Sequence, residues 1–215
     1  MAVLADGAMH SQAVLAGQRH SQLLLPMVSE VLAAAGLSLG RLDALAIGQG
    51  PGSFTGLRIA CGAAQGLAFG AGLPVVTVVT LEAMAARALR DTAAAGAVAC
   101  IDARMGEVYA GIYAKTEAGL QTLLGPALFA PTQTPLPEAG RAWVGCGSGF
   151  AAYGEVLAER YAGKLAAVLP DIHPHAEAIA ELAQAKWRRG EQVAAEAVEP
   201  LYIRNKVALK TCERS

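Results

Sequence analysis

The sequence predicts an α/β protein built as two lobes of mixed sheet plus helices. Three observations carry this reading. β-branched and alternating apolar runs give way repeatedly to helical ones, the pattern of alternating strands and helices. The order hairpin, helix, strand, glycine loop, helix is followed by a second hairpin and a second glycine turn ahead of another helix, a weak duplication read from element order. The chain has 215 residues, 54% hydrophobic and 16% charged, enough apolar material for one large domain or two small lobes with a well-buried core.

The elements follow in order. Apolar runs at 1–4 and 13–15 flank Asp6-Gly7, a hairpin signal. Residues 20–35 read as a helix. On a wheel of about 100° per residue, Leu23, Leu24, Leu25, Met27, Val28, Val31 and Leu32 spread over roughly 200°, about twice the stripe that an ordinary surface helix needs. One flank can therefore face the core and the other a partner. Residues 42–47 are a strand that runs into Gly48-Gln-Gly-Pro-Gly-Ser-Phe-Thr-Gly56, whose glycines and proline make a tight turn. Ser53 or Thr55 then caps a helix over 56–70. Gly62, Gly66 and Gly70 fall at intervals of four in it. Each glycine weakens a helix by about 1 kcal/mol relative to alanine, so a stripe of three points to close backbone approach by another helix.

A strand over 75–80 and a helix over 81–89 complete the first half, and 94–96 is a short linker. The second half opens with strands at 97–102 and 107–113 around the turn Ala103-Arg-Met-Gly106. The region to Pro137 reads as loop. A strand at 142–144 enters Gly145-Cys-Gly-Ser-Gly149, followed by an Ala-rich helix, an amphipathic helix over 175–189, and an ordered chain that ends at 200–204. The expected boundaries are 1–93 for the N-terminal lobe and 94–198 for the C-terminal lobe. The tail at 199–215 is expected to return to the first.

Several chemistries are excluded or weakened. Net charge is −1, without the basic footprint that dominates affinity for nucleic acid backbones. Cys61, Cys100, Cys146 and Cys212 form no CxxC pair, which argues for reduced thiols in a cytoplasmic protein. Residues 59–81 carry no charge, but Gly70, Gly72 and Pro74 break the run, so helix, turn and strand describe it better than a membrane span. The glycine loop lacks the P-loop lysine, because Leu57-Arg58 follows Gly56, and Ser53 replaces the third glycine of a dinucleotide fingerprint. His10, His20, His173 and His175 supply no HExxH pair, which rejects a zinc peptidase, and Ser53 lacks the GxSxG setting of a serine nucleophile. Asp102 sits between a strand and a turn, either as a turn cap or as a vestigial phosphate or metal position. Arg104 and Glu107 can pair across that hairpin. Arg58 in the first helical turn opposes the helix dipole, which an anionic partner would explain.

Gly50-Pro51-Gly52-Ser53-Phe54-Thr55-Gly56-Leu57-Arg58 resembles the motif loop of the TsaB (YeaZ) family. Matching stretches follow in the family's order at Cys61 to Gly70, at Ile101-Asp-Ala-Arg-Met-Gly-Glu-Val-Tyr109 and at Glu199-Pro-Leu-Tyr-Ile-Arg-Asn205. The resemblance implies an actin-like (ASKHA) fold and a part in making N6-threonylcarbamoyladenosine on tRNA. It implies a non-catalytic subunit that binds and activates the catalytic homologue TsaD, with the ATPase TsaE joining the pair and tRNA reached only through the complex. A stand-alone actin-like ATPase or kinase is the alternative, and a homodimer through the same helices when TsaD is absent is a third reading. No cofactor is expected on this chain alone, and the resemblance leaves open whether ATP or ADP sits at the subunit interface.

Because the family's helices matching 20–35 and 56–70 dock on TsaD, the expected partner-binding residues are His20, Leu24, Met27, Val31, Arg58, Gly62 and Gly66. Family members begin earlier, with a strand ending in Asp-Thr or Asp-Thr-Ser. The resemblance therefore implies that this first strand is missing here and that Met1 falls inside the first hairpin.

Overall fold

The structure is a computed structural model that describes residues 1–15 and 17–204. The expected tail residues beyond Arg204, with Asn205 and Cys212 among them, lie outside the described residues.

Strands β1 (Ala2–Ala5) and β2 (Ala8–Ser11) form an antiparallel hairpin with Ala5 opposite Ala8. Asp6 and Gly7 both have positive φ, 48° and 79°, the primed turn whose twist matches that of the flanking strands. A two-residue turn starts the second strand directly after the glycine, which corrects its expected place at 13–15. Helix α1 (His20–Ala34) buries Val31 and Leu32 against Val3 of this hairpin.

Strands β3 (Leu45–Gly50) and β4 (Val75–Val79) are parallel, and α2 (Phe54–Ala71) connects them. Ser53 is the cap of α2, its hydroxyl accepting from Gly56 N at 3.4 Å, and Gly72 ends the helix in the left-handed region at φ 66°. Helix α3 (Thr80–Arg90) joins both halves. Ala83 packs with Val76 and Val78 of β4, while Leu81, Met84, Ala85 and Ala88 pack with Ala97, Ala99 and Val144 of the second sheet.

That second sheet has the order β7-β6-β5-β8-β9, formed by β5 (Gly96–Arg104), β6 (Glu107–Thr116), β7 (Gly119–Phe129), β8 (Trp143–Cys146) and β9 (Leu165–Leu169). Strand β7 occupies the stretch expected to be loop. It tolerates Pro126 because it is an edge strand, and its pairing with β6 skips a step where Gly125 and Pro126 fall. The Ala-rich helix is two short ones, α4 (Ser148–Ala152) and α5 (Gly154–Arg160), divided at Tyr153.

The rest of the expected C-terminal lobe goes back to the N-terminal half. Helix α6 (Ala176–Arg188) packs Ala178 and Ala183 against Val76 and Val78. Strand β10 (Gln192–Val193) pairs antiparallel with β4, and Ala195 and Val198 enter the cluster under α2. Among the described residues the sheets are thus β1-β2, β10-β4-β3 and the mixed five-stranded one. No helix among the described residues is long and apolar enough to cross a membrane.

Candidate partner-binding face

Helix α2 is apolar nearly all round. Over 18 residues it carries one charge, Arg58, yet only Cys61 and Ala68 are buried. These two, with Ala64, seat the helix on Ile47, Val75, Ala195 and Val198. Gln65 fixes the rotation by donating from Nε2 to Val198 O at 3.0 Å. Counting about 100° per residue, the stripe Gly62, Gly66 and Gly70 points roughly 165° away from the centre of that seat. A Cβ built on any of the three glycines meets nothing within 4 Å. Among the described residues, the helix approach for which the stripe is suited is therefore not made.

Opposite this stripe, α1 presents the flank that the hairpin does not cover. An open groove of about 330 Å³ separates the helices, with Leu24 and Leu25 on one wall and Ile59, Ala63, Gly66 and Leu67 on the other. Leu25 is 55% exposed, and Phe69 at the far end of α2 is 71% exposed. A helix apolar on every side is normally buried, and contiguous exposed apolar surface marks an interaction site.

The structure places the expected residues unequally. Leu24 and Gly66 line the groove, and Gly62 adjoins it on the open stripe. Met27 is half-buried. His20 starts α1 and donates from Nδ1 to Gly17 O at 2.8 Å. Val31 corrects the expectation: at 5% exposure it belongs to the core with Val3 and Leu32, because the wide apolar arc of α1 divides between hairpin and groove. Arg58 does not project freely either. Its guanidinium lies 3.9 Å above the Phe54 ring, and its Nε donates to the Tyr202 hydroxyl at 2.9 Å. Leu25, Ile59, Ala63, Leu67 and Tyr202 are additions that sequence reasoning missed. The first four were legible as apolar residues, but nothing in their spacing says which side a partner takes.

The motif loop turns with a cis bond between Gly50 and Pro51. Gly50 has φ 115°, and a Cβ there would lie 3.0 Å from Leu57 and 3.3 Å from the carbonyl of Leu201. Gly52 is open, Gly56 adjoins the Ser53 cap, and Thr55 is exposed. Gly50 is thus required by the chain's own tail.

The second glycine turn, Gly145 to Gly149, is filled by the chain itself. A Cβ on Gly147 or Gly149 would overlap Cys100, and on Gly147 also Met84, so these glycines admit strand β5 rather than a ligand. Asp102 is occupied by its own turn. Its Oδ1 accepts from Arg104 N at 2.8 Å and from the Tyr153 hydroxyl at 3.3 Å, and its Oδ2 lies 3.1 Å from the Arg104 guanidinium. Burial, helped by the Asp102 carboxylate, pushes the Cys100 thiol up to about 12, so it supplies no nucleophile. These residues do not fit a nucleotide phosphate. The expected pairing of Arg104 with Glu107 is corrected as well: Arg104 turns to Asp102, and Glu107 pairs with Arg204 at 2.6 Å. Among the described residues, no group of three or more His, Cys, Asp or Glu is placed to hold a metal.

The family model described as TsaD, tRNA N6-adenosine threonylcarbamoyltransferase, matches residues 9–212. The tRNA threonylcarbamoyladenosine biosynthesis protein TsaB of Escherichia coli is 39% identical over 95% of this chain and 89% of its own length. The Haemophilus influenzae protein of the same name is 38% identical over 91% and 84%. YeaZ from Pseudomonas aeruginosa superposes with a TM-score of 0.87 at 40% identity, covering 94% of this chain and 92% of that one. A crystal structure from the same organism, described as an uncharacterized protein with similarity to peptidase YEAZ, gives 0.88 at 40% identity, over 94% and 93%.

Proposed function

The chain belongs to the TsaB family, and we propose that it serves in tRNA threonylcarbamoyladenosine biosynthesis as a non-catalytic subunit that docks on and activates TsaD. The observation that carries this reading is the uncovered apolar face between α1 and α2, with its glycine stripe open to solvent. Two related chains can approach there with backbone close to backbone, and each helix then gains the apolar cover it lacks alone. The family model described as TsaD matches most of this chain, which supports an actin-like fold common to both subunits. The Asp102 turn and the second glycine turn, closed by this chain's own atoms, support a subunit without chemistry of its own and a nucleotide left to the complex.

Reconstitution tests the proposal. TsaD with its other components is assayed for transfer of the threonylcarbamoyl group to tRNA, with and without this chain. The reading expects transfer to require the chain and the chain alone to be inactive. Full transfer without it, or transfer by the chain alone, contradicts it.

A further inference from the structure

The last described residues run from one half of the molecule to the other and are held along their length. Leu201 N donates to Gln49 O at 2.7 Å, at the end of β3. Tyr202 rests against Phe54 with ring centroids 5.9 Å apart and accepts from Arg58. Two residues on, Arg204 has left α2 for the β5–β6 turn. Its guanidinium pairs with Glu107 at 2.6 Å and donates to Arg104 O at 3.3 Å and to Met105 Sδ at 3.0 Å, and its side chain is only 12% exposed. The turn it grips is an unusual one. Arg104 and Met105, neither a glycine, have φ of 62° and 59°, a region that side chains disfavour and that surrounding contacts must hold.

We propose that residues 201–204 are a strap between the two halves, seated on the glycine loop and α2 by Leu201 and Tyr202 and clamping the β5–β6 turn through Arg204. Each contact alone contributes modestly. On four consecutive residues they reinforce one another, because each seated contact holds the next at high effective concentration. The strap therefore links the glycine loop at the start of α2 to the second sheet. This inference stands whether or not the α1–α2 face receives TsaD.

Coupling between the two ends tests it, read by native-state hydrogen exchange on the full chain. Tyr202→Ala removes a ring that contacts Phe54 and Arg58, two residues before the clamp on the turn. The strap predicts about tenfold faster exchange in the peptide spanning 102–108. Conversely, Arg204→Met speeds exchange of the Leu201 amide by about tenfold. Should Arg204→Met fail to fold, Glu107→Gln weakens the same clamp from the other side and is read in the same way. Changes confined to the neighbourhood of each substitution, with the distant end within about twofold of the parent, overturn the strap and leave independent local contacts.

Discussion

Lys186 Nζ lies 3.2 Å from Glu82 Oε2, joining α6 to the first turn of α3, with both side chains largely buried. The same ammonium donates to Thr77 O at 3.4 Å. The pair thus ties the late helix to β4 and to the helix that both larger sheets share. Lys186→Met leaves the Glu82 carboxylate buried and unpaired, and is expected to cost about 2–4 kcal/mol in denaturant unfolding. Adding Glu82→Leu recovers most of that loss, since the desolvation penalty goes with the charge. A double variant as unstable as the single one counts against this view of the site.

The buried thiols set an alkaline limit. Burial pushes Cys100 and Cys146 up from 9.0 to about 12, and the Tyr161 hydroxyl from 10.0 to about 12. Below pH 9 both folded and unfolded chains hold the thiol protons, so these groups add no pH dependence. Between pH 9 and 12 only the unfolded chain releases them, so stability falls as pH rises, by up to about 1.4 kcal/mol per pH unit for each thiol. Tyr161 joins above pH 10. Unfolding free energies measured from pH 8 to 11 check the slope, and a flat profile refutes it.

Native thiol reactivity follows from the same burial. Cys61, Cys100 and Cys146 are all buried free thiols. Alkylation at pH 8, read site by site by mass spectrometry, is expected to leave these three unmodified in the folded chain and to label them in denaturant.

The stack on Arg58 has a modest stability. Tyr202→Phe keeps the ring on Phe54 and loses the bond from Arg58, a cost of under about 1 kcal/mol. Tyr202→Ala loses ring and bond together and costs about 1–2 kcal/mol. Chemical denaturation of both variants checks the order.

The glycine stripe lowers stability in the isolated chain. Gly62→Ala and Gly66→Ala meet no neighbour. Each is expected to raise stability by about 0.5–1 kcal/mol through helix propensity. A melting temperature that falls in both variants contradicts the open stripe.

Local rules made much of this fold legible. Asp6-Gly7 marked the first turn, Ser53 the cap of α2, and Ala103-Arg-Met-Gly106 the second hairpin. Where chain segments meet only in space, the reading failed. Strand β7 holds Gly125 and Pro126, which read as loop until its place at the sheet edge is known. Helix α6 and β10 follow the second sheet in sequence yet complete the first, since nothing local tells an amphipathic helix which sheet to cover. Val31 shows the same limit within one helix: its periodicity marked an apolar arc but not the part taken by the hairpin. Arg204 stands 97 residues from Glu107, so the nearer Arg104 was the natural guess. At the candidate site, the glycine spacing and the wide arc of α1 were both visible beforehand, because they are composition written along a helix.

The central claim, that the α1–α2 face is a docking surface for TsaD, is tested most directly by the dissociation constant of the Gly66→Leu variant. The substitution fits the isolated fold, where nothing lies within 4 Å of the new Cβ, so a melting temperature at or above the parent's is expected alongside. With the fold intact, the account predicts that TsaD binds about 100-fold more weakly, because the side chain fills the space that a partner helix needs. Binding within about twofold of the parent contradicts it.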